Sequence, residues 1–141
     1  MVILKHLGKF LLLAMVGGAL YYMLELLARG FSHYSMFITG GLCFVMIGML
    51  NEFYHWDMAL ISQMFVSAII ITTLELLAGL IVNIGLDMNV WDYSKMPYNF
   101  LGQICLVYSV LWFFLSPAAI FLDDVLRWRC FDEEFPRYRL L

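Results

Sequence analysis

Four long runs almost free of charge leave this chain few ways to fold. Phe10 to Ala28 holds one charged residue, Glu25, and Gly30 to Asn51 holds none with His33 neutral. Met58 to Leu86 holds only Glu75, and Met96 to Leu122 holds none. A helix that crosses a bilayer needs about 20 residues, so each run suffices for one crossing. Of the 141 residues, 64% are apolar and 13% charged, too little polar surface for a soluble domain of this size. The expected fold class is therefore all-α. It is a polytopic membrane protein with one transmembrane domain and helices at about 10–28, 35–51, 59–85 and 97–122. Residues 123–141 form a tail, and short connections make neighbouring helices antiparallel.

Glu25 and Glu75 interrupt two of the runs in nearly the same words. Leu24-Glu25-Leu26-Leu27-Ala28 is matched by Leu74-Glu75-Leu76-Leu77-Ala78. Gly40-Gly41-Leu42-Cys43 resembles Gly102-Gln103-Ile104-Cys105 in the same order. The two matches point to a parallel internal repeat, helices 1–2 onto helices 3–4, about an axis along the membrane normal. Chance likeness between Leu-rich helices is the rival reading. A carboxylate in hydrocarbon is costly and faces a partner, a cavity or a transport route. Two of them at one depth would share a proton or bind a cation. Alternatively each glutamate locks helices together by hydrogen bonds, with Tyr21, Tyr22, Thr72, Thr73, Asn83, Asn99 and Gln103 as candidate partners. Arg29 stands four residues after Glu25, so a helix-end ion pair accounts for Glu25 alone.

With four crossings, both termini share a side with the central loop. Lys5, Lys9, Arg127, Arg129, Arg137 and Arg139 fall on that side, and only Arg29 and Lys95 on the other. The positive-inside rule places both termini in the cytoplasm. The first apolar run reads as a retained signal-anchor helix, since no small-x-small cleavage site ends it before Tyr21-Tyr22. Cys43, Cys105 and Cys130 lack disulfide or zinc spacing and read as two buried thiols and one reduced thiol. No phosphate loop, nucleophile elbow, metal motif or nucleic-acid signature appears, so no cofactor and no enzymatic activity are expected. Small residues, among them Gly17, Gly18, Gly40, Gly41, Gly48, Gly79 and Gly102, mark helix-packing faces.

Trp91-Asp92-Tyr93-Ser94 leads through Lys95 and Met96 into Pro97-Tyr98-Asn99. Pro97 suits the first turn of helix 4, with Asp92 or Ser94 as its cap and Trp91 and Tyr93 at headgroup level. The alternative is an outer mouth above the glutamates. The tail from Asp123 mixes arginine with acidic and aromatic residues and suits an amphipathic segment on the membrane surface, its arginines meeting lipid phosphates or a partner.

Two segments carry a family resemblance. One is Arg29-Gly30-Phe31-Ser32-His33-Tyr34-Ser35-Met36-Phe37-Ile38. The stronger is Trp91-Asp92-Tyr93-Ser94, followed by Pro97, Asn99 and Leu101-Gly102-Gln103-Ile104-Cys105-Leu106. The chain resembles the bacterial four-helix ABC-transporter permease family, CmpB-like or type IV. The resemblance implies a permease-type component of the bacterial inner membrane, and Glu25, Glu75, Trp91, Asp92, Tyr93, Asn99 and Gly102 match family positions. An ATPase would be a separate subunit, although the short loop at 52–57 offers it little to grip. The substrate-contacting set expected from the residues is Glu25, Glu75, Trp91, Asp92, Tyr93, Asn99 and Gln103. A bundle so small has little room for a solvated route. A homo-oligomer with Glu75 lining a polar cavity is therefore expected. The rival is a structural or regulatory membrane subunit in which the glutamates only lock the bundle.

Overall fold

The computed structural model describes residues 1–54 and 57–141. The described residues form α1 (Val2–Arg29), α2 (Tyr34–Tyr54), α3 (Leu60–Gly79), β1 (Asn99–Phe100), β2 (Ile104–Cys105) and α4 (Leu106–Phe131). A π-helical stretch, Leu80–Gly85, continues α3. The four helical spans are all long and apolar enough to cross a membrane. The protein is an all-α, multi-pass membrane protein. Of the inner loop expected at 52–57, positions 55 and 56 lie outside the described residues.

α1 begins at Val2, well before the expected residue 10, because Lys5 and Lys9 do not stop it. Lys9 is buried and ion-pairs with Glu133 near the other end of the chain. α1 ends on Gly30, whose φ of 79° lets its amide return to the Leu26 carbonyl. α1 packs closely on α2: a Cβ at Gly40 would collide with the Tyr21 side chain. That approach places the Tyr21 phenol over the bundle interior. α3 turns one face inward at four-residue intervals, namely Gln63, Ser67, Ile71, Glu75 and Gly79, all buried. Asn83, buried in the π-helical stretch, extends the same line. Polar residues thus occupy the inner face of the most apolar span, while its outer face carries Phe65, Ile69 and Leu77.

The start of α4 differs from expectation. Pro97 does not open a helix. Tyr98, Leu101 and Gly102 adopt left-handed backbone, with φ of 53°, 54° and 68°, and break any helix there. The chain instead makes a tight antiparallel hairpin with Asn99 opposite Cys105 and Phe100 opposite Ile104. Cys105 precedes α4 and Gly102 lies in the hairpin turn, so neither belongs to a transmembrane helix face. At its other end α4 runs through Asp123, Asp124 and Arg127 to Phe131. Within α4, Pro117 cannot donate to the Phe113 carbonyl, and the Ser116 hydroxyl donates to it instead at 2.8 Å.

The tail is a strap, not a free amphipathic segment. The amides of Leu60 and Ile61 donate to the carbonyls of Arg139 and Leu140, at 2.6 and 3.2 Å. Ala59 offers no side-chain cap, so the end of the chain satisfies the first amides of α3. Arg139 also donates to the Asp57 carbonyl at 2.9 Å.

Candidate functional site

Glu75 is 2% exposed at the centre of the bundle. Its Oε1 accepts the Tyr21 hydroxyl at 2.9 Å, and its Oε2 accepts the indole N–H of Trp112 at 3.1 Å. The Tyr21 and Trp112 rings lie 5.5 Å apart, tilted by 33°. Residues from α1, α3 and α4 therefore converge on one carboxyl group. The indole N–H can only donate, so it demands an acceptor at this depth. The sequence reading named Tyr21 as a partner and missed Trp112. A tryptophan inside an otherwise uncharged run was the available signal.

Glu25 does not join Glu75. It pairs with Arg29, as the four-residue spacing allows, and shares no hydrogen bond with the Glu75 cluster. The two glutamates thus do not bridge one proton in this arrangement. Their settings differ: one is an ion pair near a helix end, the other is held by two uncharged donors. Arg29 continues outward, donating to the Val90 carbonyl at 3.0 Å.

Val90 opens a second buried cluster. Its amide donates to Asn83 Oδ1 at 2.7 Å, and Asn83 Nδ2 donates to Gln103 Oε1 at 2.8 Å. Trp91 is buried, and its indole donates to the Gln103 carbonyl at 2.9 Å. Asn83 and Gln103 therefore bond to each other rather than to a glutamate. Asn99 accepts the Gly102 amide at 3.1 Å and donates to the Met96 carbonyl at 2.9 Å, shaping the hairpin. Asp92 accepts the Ser94 amide at 2.8 Å, closing a local turn instead of capping α4. That bond, above all, holds the Asp92 carboxyl below its ordinary range. Tyr93 stacks on Tyr108 at 4.8 Å, and burial pushes its phenol upward. Trp91, Asp92, Tyr93, Asn99 and Gln103 thus belong to a hydrogen-bonded cap, joined to Glu25 through Arg29 and Val90.

A third cluster, missed in the sequence, lies at the opposite end. Asp123, Asp124 and Arg127 are buried on α4. Arg127 bonds Asp123 at 2.7 Å and also faces Glu52 and Glu133, at 3.3 and 3.5 Å. Asp124 Oδ2 accepts Asn51 and the Tyr138 hydroxyl, at 2.9 and 2.6 Å. Arg127 is therefore an internal ion-pair hub and does not meet lipid phosphates. Ser67 Oγ, Gln63 Oε1 and Asp123 Oδ1 are buried with no hydrogen-bond partner among the described residues. No group of three or more His, Cys, Asp or Glu suited to a metal occurs among the described residues.

The family model described as "Putative ABC-transporter type IV" matches residues 6–131. The chain belongs to this family. The match takes in α1 from His6 onward, the other three helices, the hairpin and every candidate residue from Glu25 to Gln103, and stops at the end of α4. No solved structure matches the chain.

Proposed function

We propose that this protein is a permease-type transport component whose intramembrane polar site is the Tyr21–Glu75–Trp112 cluster. Membership of an ABC-transporter family supports the transport class. The observation that carries the site is the inward line of α3, with Gln63, Ser67, Glu75 and Asn83 buried at helical spacing. Polar groups at bilayer depth are retained where they contact a substrate, an ion or a proton relay. Here they run from the hairpin cap to the Arg127 hub, with Glu75 between them. Along this line Ile71 and Gly79 separate the polar residues. Transport on this reading uses an assembly of copies in the cytoplasmic membrane.

A second reading draws on the same geometry. Both oxygens of Glu75 are satisfied by protein donors. The cluster then serves as a pin between α1, α3 and α4 in a structural or regulatory subunit. Glu75→Gln separates the two. Glutamine can present its oxygen to Trp112 and its amide to the Tyr21 hydroxyl, which turns to accept, so the pin survives without a titratable group. The measurement is proton flux into dye-loaded proteoliposomes of the full chain. Transport predicts flux in wild type and its loss in folded Glu75→Gln. Equal flux in both, or none in either, supports the pin.

A further inference from the structure

Glu75 has no cation of its own. Glu25 is paired with Arg29, Asp123 with Arg127 and Glu133 with Lys9, but Glu75 belongs to no ion pair among the described residues. Its partners are the uncharged donors of Tyr21 and Trp112. A buried carboxyl group without a counter-charge either keeps a proton or takes a cation from outside the chain. A way in lies beside it. Tyr21 and Trp112 also line a crevice that opens between α1 and α4 and reaches α2 at Phe44 and α3 at Ile71. Ile71 stands one helical turn from Glu75. The carboxyl group is thus within one aromatic side chain of the crevice. Leu20, Leu24 and Leu27 belong to the lining and are exposed, so entry is sideways from the bilayer.

The lining narrows the choice of occupant. Among the described residues no lysine, arginine or histidine lines the crevice. Its hydroxyl and indole protons are already committed, those of Tyr21 and Trp112 to Glu75 and that of Ser116 to the Phe113 carbonyl. An anion would find neither a counter-charge nor a free donor there. An uncharged hydrocarbon suits the apolar walls but leaves the carboxylate uncompensated. A cation is attracted by aromatic rings, and three of them, from Tyr21, Phe44 and Trp112, line this crevice. Two of those rings also donate to Glu75, and donation to a carboxylate polarises a ring toward greater attraction for a cation.

We infer that the crevice binds a lipophilic organic cation against the Tyr21 and Trp112 rings, with the Glu75 carboxylate as its counter-charge. The apolar part of such a molecule meets the leucine-lined walls, and its charge meets the rings. The inference names the substrate class of the transport reading and rests on Glu75 as the site of that reading.

Tetraphenylphosphonium and tetraphenylborate are alike in size and apolarity and opposite in charge, which makes them the probes. Titration calorimetry of the full chain in mixed micelles, with protein-free micelles subtracted, should show saturable binding of tetraphenylphosphonium and none of tetraphenylborate. Glu75→Gln, which keeps the pin, should bind tetraphenylphosphonium on the order of tenfold more weakly. Glu134→Gln removes an exposed carboxylate from the tail and should bind as wild type does. Should Glu75→Gln fail to fold, Ala119→Phe, which fills the crevice from α4, takes its place and should abolish binding. Equal binding of the two ions, saturable binding of neither, or undiminished binding by folded Glu75→Gln or Ala119→Phe would overturn the assignment. Binding is read without flux, so the two ideas can fail separately. Glu75-dependent binding without proton flux upholds the cation site and sinks the transport reading. Proton flux that Glu75→Gln abolishes, with no cation bound, sinks the cation site alone.

Discussion

At the scale of single residues, Glu75 shows what a membrane interior demands of a carboxyl group. The apolar sequence around it marked it as costly, and its burial with two donors shows how that cost is offset. Its pairing with Glu25 was not legible, because a doubled Leu-Glu-Leu-Leu-Ala says nothing of which way each side chain turns. Arg29 lies within reach of Glu25 and settles its partner locally. The cluster makes a stability prediction apart from transport. Trp112→Phe leaves Glu75 Oε2 without a donor in a dry site and should cost about 1–3 kcal/mol. Glu75→Gln should lie within about 1 kcal/mol of wild type, since both donors keep partners. Combining Glu75→Leu with Tyr21→Phe and Trp112→Phe should cost clearly less than the sum of the three, because no polar group is then stranded. Reversible unfolding in mixed micelles measures all of these. Additive losses would show that the three side chains act independently.

At the scale of elements, hydropathy found all four spans and misplaced the start of α1 and both ends of α4. The uncharged stretch from Met96 to Leu122 hides a hairpin, since Tyr98, Phe100 and Leu101 are as free of charge as the helix that follows. Only the backbone signs, with left-handed Tyr98, Leu101 and Gly102, separate the two, and apolarity carries no record of them. The C-terminal end of α4 was misjudged for the reverse reason. Asp123, Asp124 and Arg127 look like the start of a solvated tail, yet Glu52, Asn51, Glu133 and Tyr138 supply them with partners from distant positions. The strap follows from those contacts and can be tested through α3. Removing residues 139–141 leaves the Leu60 and Ile61 amides uncapped, and loss of a cap costs about 1 kcal/mol. Hydrogen exchange at those two amides should accelerate while exchange near Glu75 stays slow. Alkali should act in the same direction. Burial, and then the bond to Asp124, raises the Tyr138 phenol above its ordinary value of 10.0. A raised value means that its contribution is complete below the unfolded phenol's pKa and is lost as pH rises through the folded one. The strap should therefore hold at neutral pH and loosen only in strong alkali, and Tyr138→Phe should remove that alkaline step. An unchanged alkaline transition in Tyr138→Phe would assign it to another group.

At the scale of the whole molecule, the distribution of cations over the two ends of the bundle predicts an orientation. Lys5, Lys9, Arg127, Arg129, Arg137 and Arg139 gather at one end, and Arg29 and Lys95 at the other. The folded arrangement sharpens this contrast. Lys9 and Arg127 are neutralised by Glu133 and Asp123 in the finished bundle, but insertion is decided while those pairs are still unmade. At the opposite end Arg29 is held by Glu25 and the Val90 carbonyl, leaving Lys95 as the exposed cation there. Both counts favour the same side. A reporter active only in the cytoplasm, fused after Leu141, should therefore be active, and one active only outside should be silent. A cysteine placed at Ser94, exposed in the hairpin cap, should react with an impermeant thiol reagent added to intact cells. The exposed Cys130 near the strap should react only after the membrane is opened. Labelling of Cys130 in intact cells, with protection at position 94, would invert the orientation.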